Sequence, residues 1–433
     1  MIRTIDLRGR SPDLATVLPR ADFVIDTALA AVVAICDDVR DRGATAVMEL
    51  SSKFDHVTPP SLLVPPEAIE DAVAGLDAGV RKAVMESIRR RRIVCEKTEV
   101  ELALRSVTLA PGARVDTRVV PVSRVGLYVP GGLAPLASSV LMNAVPAQVA
   151  GVGSIAVASS PRPEFGGWPH PTILAVCGLL GLDEVYAVGG AQAIAMFAYG
   201  VDGCPRVDMV SGPGNIYVAA AKRHLQGLIG IDSEAGPTEI GILADETANP
   251  VFVAADMVSQ AEHDPLAAAV LVTNCLELAG QVRSEVARLV ASHPLRERLE
   301  VSLGGQQSAI VLVDTIEAGL GVVNAYGAEH LEVMTANAAA LADQVHNAGA
   351  VFVGSYSPVS LGDYAAGSTH VLPTGGVSRF SSGLTVRAFT KQMHVIDYSA
   401  GALRELAGDV VTFALAEHLP GHAQAITIRG EHK

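Results

Sequence analysis

Four short stretches of this sequence bring imidazoles, carboxylates and an amide to spacings at which they can act together. Gln260 and His263 stand three residues apart in NPVFVAADMVSQAEHD, whose apolar spacing predicts a helix. That spacing puts an amide oxygen and an imidazole on one helix face, where both can ligate one metal ion. Taken alone, the pair reads rather as a polar helix end with a satisfied histidine, since a Q-x-x-H match arises easily by chance. Glu329 and His330 are adjacent in NAYGAEHLEVMT. At a turn both can flank one reacting atom, and an imidazole beside a carboxylate is a proton acceptor near neutral pH. Asp363 and His370 lie in GDYAAGSTH, where glycines on either side let them share a cavity. Glu417, His418 and His422 close the series near the C terminus.

Glycine-rich loops form a second group: Gly131-Gly132, Gly189-Gly190 and Gly212-Pro213-Gly214. Each follows an apolar strand-like run and precedes a helix-like one. In that setting backbone amides and a helix N-terminus can hold a phosphate. The G-x-G-x-x-G fingerprint is absent, since Gly151-Val152-Gly153 lacks its third glycine. Cysteine chemistry has less to offer. The five cysteines are scattered without a C-x-x-C pair, which argues against a disulfide framework and a cysteine-rich zinc knuckle. Cys36 and Cys177 fall in apolar helical patterns, and no cysteine neighbours Glu329-His330, so a covalent thiol route is disfavoured.

The elements that must position these side chains follow from the hydrophobic pattern. Residues 1–20 read as an arm with a strand-like TIDL, and 21–92 as mainly helical around a Pro-rich loop. From Val125 four apolar strands alternate with helices: VGLYVPGG, SIAVASS, EVYAVGG and VDMVSGPGN each lead into one. That alternation predicts βαβ units and a parallel sheet over roughly 125–239. A second α/β stretch follows, with strands EIGILAD, AAVLVT, SAIVLVD and AVFVG. Pro358 to Gly383 reads as a polar loop region, and 385–433 as a strand, two short helices and a basic tail.

Bulk properties narrow the function classes. The formal charge of −14 disfavours a broad nucleic-acid or anionic-membrane surface, and Arg89 to Arg92 read as a solvated helix face. The first residues carry no apolar signal core and no run is long enough for a membrane span, so a cytoplasmic protein is expected.

Taken in order, GLYVPGG, VGGAQA, SGPGN, AGPTE, SQAEHD, AEHLE, GDYAAGSTHVLPT and the late E-x-L-x-x-H at Glu417–His422 resemble the histidinol dehydrogenase family over nearly the whole chain. The resemblance implies an α/β fold of two Rossmann-like parallel-sheet domains with small N- and C-terminal dimerisation segments. Residues 21–124 and 240–384 would form a discontinuous catalytic domain, 125–239 the NAD-binding domain, and 385–433 a segment completing the partner's site in a homodimer. It implies oxidation of L-histidinol through L-histidinal to L-histidine with two NAD. One zinc per subunit would be held by Gln260, His263, Asp363 and His422, with the substrate's imidazole and amine completing the shell. Glu329 and His330 would serve acid–base roles. Thr238, His370 and Glu417 would contact substrate alongside Gln260, His263, His330, Asp363 and His422. Tyr128, Gln192 and Asn215 would contact NAD. The chain departs from the usual pattern at Thr238 (serine is frequent), Thr369 (asparagine), Gly327-Ala328 (Ala-Pro) and His418 (glycine). The rival readings are a paralogous zinc dehydrogenase of another small polyol or hydroxy acid, and a zinc hydrolase that never meets NAD.

Overall fold

The computed structural model describes residues 2–18, 20–21, 25–100, 105–132, 134–234 and 236–431. The other positions, among them Pro19 of the expected arm and Ala235 of AGPTE, lie outside the described residues. The chain opens on β1 (Arg3–Asp6) and α1 (Leu14–Val17). Helices α2 (Asp26–Arg42), α3 (Ala44–Phe54), α4 (Pro66–Gly75) and α5 (Ala78–Val94) follow, then β2 (Arg105–Ala110) and β3 (Ala113–Pro121). In α2 the buried residues are Ala28, Val32, Cys36 and Val39, a stripe at three- and four-residue spacing.

Strand–helix alternation then begins with β4 (Arg124–Val129), α6 (Ala137–Ala150), β5 (Ser154–Ser159), α7 (Pro171–Leu179) and β6 (Val185–Ala187). It continues through α8 (Gly190–Tyr199), β7 (Met209–Ser211), α9 (Ile216–Leu225) and β8 (Gly230–Ile231). The next unit holds β9 (Glu239–Ala244), α10 (Pro250–Ala261), β10 (Ala268–Thr273), α11 (Leu276–Ala291), α12 (Arg296–Gly304) and β11 (Ala309–Leu312). After these come α13 (Ile316–Tyr326), β12 (His330–Met334), α14 (Ala338–Ala342), β13 (Ala350–Val353) and α15 (Val359–Tyr364). The chain closes on β14 (Thr390–Tyr398), α16 (Ala400–Ala416) and α17 (Pro420–Glu431).

Two parallel sheets result, in the orders β6-β5-β4-β7-β8 and β1-β11-β10-β9-β12-β13. Strands β9, β10 and β12 are buried along their whole length because helices cover both faces. In each sheet the chain winds outward one way and then returns to the other side of its first strand. Winding therefore reverses between β4 and β7 and between β9 and β12.

The resemblance groups 21–124 with 240–384; in the packing, α2 and α3 share a core with β4, α8 and α9. On the opposite face of that sheet, α4 and Ile88 of α5 pack with α6 and α7. The sheet needs cover on two faces, and these helices supply part of it. The expected strand of 385–433 is β14, and it pairs antiparallel with β3 from Thr390↔Pro121 to Tyr398↔Ala113. The arginine run is also corrected at one position. Arg89 and Arg90 meet Glu86 at the surface, but Arg91 is fully buried, 2.6 Å from Glu99 and bonded to the carbonyls of Gly367 and Leu384.

Candidate active site

Glu329 and His330 sit where α13 gives way to β12. Gly327 ends α13 in the left-handed region at φ 58°, and the chain then enters the sheet with His330 opposite Ile240 of β9. The pair thus lies at the amino ends of adjacent strands, beside Thr238 and Glu239. Gly349 passes so close that a Cβ there would stand 2.5 Å from the Glu329 carbonyl oxygen.

The Glu329 carboxylate accepts hydrogen bonds from the Thr238 hydroxyl at 2.5 Å and the Glu239 amide at 3.0 Å. Burial nevertheless pushes this acid up to about 7, against the opposing pull of His330, Thr238 and the Glu239 amide. His330 Nδ1 lies 3.6 Å from Glu329 Oε2, and Nε2 lies 3.7 Å from Asp363 Oδ1. Burial disfavours the imidazolium, but the flanking carboxylates outweigh it and raise His330 above the ordinary histidine range. Both of its ring nitrogens are buried without a hydrogen-bond partner among the described residues.

Asp363 lies on α15, a short helix where the sequence suggested loop. Burial raises its carboxyl, yet His330 and the other histidines hold it below its usual value. Its Oδ2 is 3.9 Å from His263 Nε2. Gln260 is inside α10, whereas His263 falls just beyond the C-cap residue Glu262. The Gln260 amide donates to the Thr238 hydroxyl, while its Oε1 is buried with no partner. His370 spans two layers: Nδ1 is 3.1 Å from the Asp363 carbonyl, and Nε2 is 3.3 Å from the hydroxyl of Ser139 on α6. Burial lowers its basicity.

One chain therefore gathers Thr238, Gln260, His263, Glu329, His330, Asp363 and His370. It leaves Glu417 and His422 on the α16–α17 hairpin, where they line a concavity with Phe413, Ala414 and Leu419. Among the described residues, no three His, Cys, Asp or Glu side chains come together as a metal-binding group. His418, where the family usually has glycine, adopts φ 58°.

Tyr128, Gln192 and Asn215 lie at the carboxyl edge of the other sheet. Tyr128 is buried near the end of β4, and its hydroxyl accepts from the Gly190 amide at 3.1 Å. Gln192 is buried in the first turn of α8. Asn215 caps α9, accepting from the amides of Tyr217 and Val218. Gly212, at φ 122°, has no room for a Cβ, which would strike the Tyr128 carbonyl.

Sequence reading missed two supporting groups. The Gly212 amide donates to Asp232 at 2.8 Å, and Asp232 also pairs with the buried Lys222. Beneath Glu329, Glu239 is held by Arg20 at 3.0 Å, by the Tyr326 hydroxyl and by the Gly375 amide. The partners of Glu239 come from remote segments, and Lys222 and Asp232 read as surface charges although they lie ten residues apart.

The fold and site together define an α/β enzyme with a buried carboxylate–imidazole pair. Residues 18–430 match the family model for histidinol dehydrogenase. The chain is 63% identical over 436 residues to a histidinol dehydrogenase of Cutibacterium acnes, covering 99% of each. It is 60% identical over 430 residues to one of Thermobifida fusca, covering 99% of this chain and 98% of that one. The crystal structure of histidinol dehydrogenase from Elizabethkingia anophelis superposes with a TM-score of 0.93 at 30% identity, over 99% of this chain and 98% of that one. This chain belongs to the histidinol dehydrogenase family.

Proposed function

We propose that the protein oxidises L-histidinol through L-histidinal to L-histidine, using two NAD and one zinc per subunit, as a homodimer in the cytoplasm. The observation that carries this reading is the unpartnered Gln260 Oε1, buried beside the His263–Asp363 pair and the acid–base pair. A buried amide oxygen without a donor is costly unless a ligand completes it. Amide, imidazole and carboxylate donors suit zinc without cysteine. The fourth protein donor is His422 of a second copy of the chain, and Glu417 arrives with it to meet the substrate amine. No helix among the described residues is long and apolar enough to cross a membrane.

Gln260, His263 and Asp363 would hold the zinc, which supplies a template for the substrate's imidazole and amine. Tyr128, Gln192 and Asn215 would hold NAD, which supplies the hydride acceptor for each oxidation. His330 takes the proton of the substrate hydroxyl, and its partner carboxylates stabilise the imidazolium that results. Glu329, held near neutrality by burial, then takes a proton from water as the oxygen adds to the aldehyde carbon. The product is a gem-diol, again an alcohol, so His330 repeats its task and one site serves both oxidations.

The test is NADH formed per L-histidinol consumed, with zinc present and after chelation. Two NADH per substrate, lost on chelation and regained with zinc, is the expected result. A ratio near one would overturn the four-electron reading, and metal-independent turnover would overturn the zinc reading. A dehydrogenase of another polyol is not favoured, since relatives named for histidinol run the full length at 51–63% identity.

A further inference from the structure

A series of buried hydrogen bonds runs from Asp363 to the Gly212 turn, and no step of the proposed reaction uses it. α15 ends at Tyr364, so the Asp363 carbonyl is among the last-turn acceptors that a helix leaves unpaired. His370 Nδ1 lies 3.1 Å from that carbonyl. A carbonyl only accepts, so Nδ1 carries the proton, and in the neutral ring Nε2 is left as an acceptor. The Ser139 hydroxyl, in the first turn of α6, stands 3.3 Å from Nε2 and can donate to it. Both ring nitrogens are thus engaged within one chain.

From Ser139 the series continues into the other half of the molecule. The Ser139 carbonyl accepts from the Asn143 side-chain amide at 2.8 Å, one helical turn on. At the end of β7 the Ser211 hydroxyl lies 2.6 Å from Asn143 Oδ1 and 3.1 Å from Asp232 Oδ2. Asp232 also receives the Gly212 amide at 2.8 Å. Ser139, Asn143 and Ser211 are all buried, and α6 around them is apolar: Val140, Leu141, Met142 and Val145 belong to one core. An unpaired hydroxyl or amide there is costly, so each bond holds its neighbour to one geometry.

We propose that Ser139 is a positioning residue: its hydroxyl fixes the His370 ring, the ring caps α15, and Asp363 is thereby held in register with the Gly212 turn. The inference rests on the proposed reaction, in which substrate held at Asp363 meets a nicotinamide held at the edge of the other sheet. Hydride transfer is sensitive to that separation, so a loosened link costs rate more than affinity.

The experiment is single-turnover NADH formation from L-histidinol by the full-length, zinc-loaded enzyme, with kcat and both KM values measured alongside. It compares wild type, Ser139→Ala, His370→Leu and the double variant. Wild type that makes no NADH would overturn the reaction reading, and this role with it. Given an active wild type, Ser139→Ala should slow the single turnover by roughly 10- to 100-fold, with kcat falling more than either KM rises. In the His370→Leu background the same substitution should cost less than about twofold, because its effect passes through the ring. An equal cost in both backgrounds, or a change confined to KM, would overturn the proposal. Should His370→Leu fail to fold, the imidazole nitrogen NMR shifts of His370 decide, read with the ring neutral. A proton on Nδ1 alone in wild type, giving way to a mixture of tautomers in Ser139→Ala, upholds it. A proton on Nε2 in wild type, or a ring unchanged by Ser139→Ala, overturns it.

Discussion

The Thr238 hydroxyl donates to Glu329 Oε2 at 2.5 Å and accepts from the Gln260 amide, so one side chain connects an expected metal ligand with the expected base. A hydrogen bond to the carboxylate stabilises its charged form and lowers its pKa. Burial already pushes Glu329 up to about 7, so it titrates within reach of a pH profile. Thr238→Val removes the donor and should move the acidic limb of the histidinal-oxidation profile to higher pH, by roughly one unit. Thr238→Ser should leave the limb in place. The reading is the position of the limb rather than its height, so lost substrate contacts do not confuse it. An unmoved limb would show that a group other than Glu329 titrates there.

Glu329 and His330 share a wall of the site, and the proposed reaction gives them different tasks. His330 Nε2 looks toward Asp363, whereas Glu329 is tied to Thr238 and the Glu239 amide. His330→Asn should lower single-turnover oxidation of histidinol by roughly 10²- to 10⁴-fold, the usual loss for a general base. Glu329→Gln should leave that first half within about tenfold and slow the conversion of added histidinal more. Equal slowing of both halves by Glu329→Gln would refute the division of labour.

Much of this framework was legible before any coordinates. β4, β5, β9 and β10 are apolar runs bounded by small residues, which is how strands buried on both faces read. Gln260, His263, Glu329 and His330 stood out by residue type and spacing. The misses share a physical cause. β12 carries the buried acid Glu332 in HLEVM, and that breaks the apolar run that would announce a strand. α15 is six residues long and flanked by Pro, Ser and Gly, so Asp363 read as loop. Arg91–Glu99 and Lys222–Asp232 are buried ion pairs, yet charged residues read as surface unless the partner is known. The β14–β3 pairing joins segments more than two hundred and fifty residues apart, a distance no local pattern spans.

Lys222 and Asp232 are 2% and 4% exposed at the side chain, and both bond to Gly212 at the glycine-rich edge. Asp232→Ala would strand a buried ammonium and free the Gly212 amide. Breaking a buried pair from one side costs about 3–5 kcal/mol, and the variant should lose that much in urea unfolding. The weakened turn should also raise the NAD dissociation constant. A loss below about 1 kcal/mol would mean that water reaches Lys222 in the folded protein.

The last prediction concerns the hairpin. Glu417 and His422 lie on α16–α17, outside the cluster formed by Gln260, His263 and Asp363 of the same chain. Phe413 and Leu415 on the same hairpin are 69% and 52% exposed, an apolar surface of the kind a second subunit covers. If the hairpin completes a neighbour's site, two inactive variants can repair each other. His422→Ala alone should lose zinc on dialysis, and His330→Asn alone should bind zinc but turn over slowly. After subunit exchange between them, one site of each mixed dimer carries both lesions and the other carries neither. Random exchange makes half of the dimers mixed, so about a quarter of wild-type activity should return. No recovery, with exchange confirmed by native mass spectrometry, would place His422 in the site of its own chain.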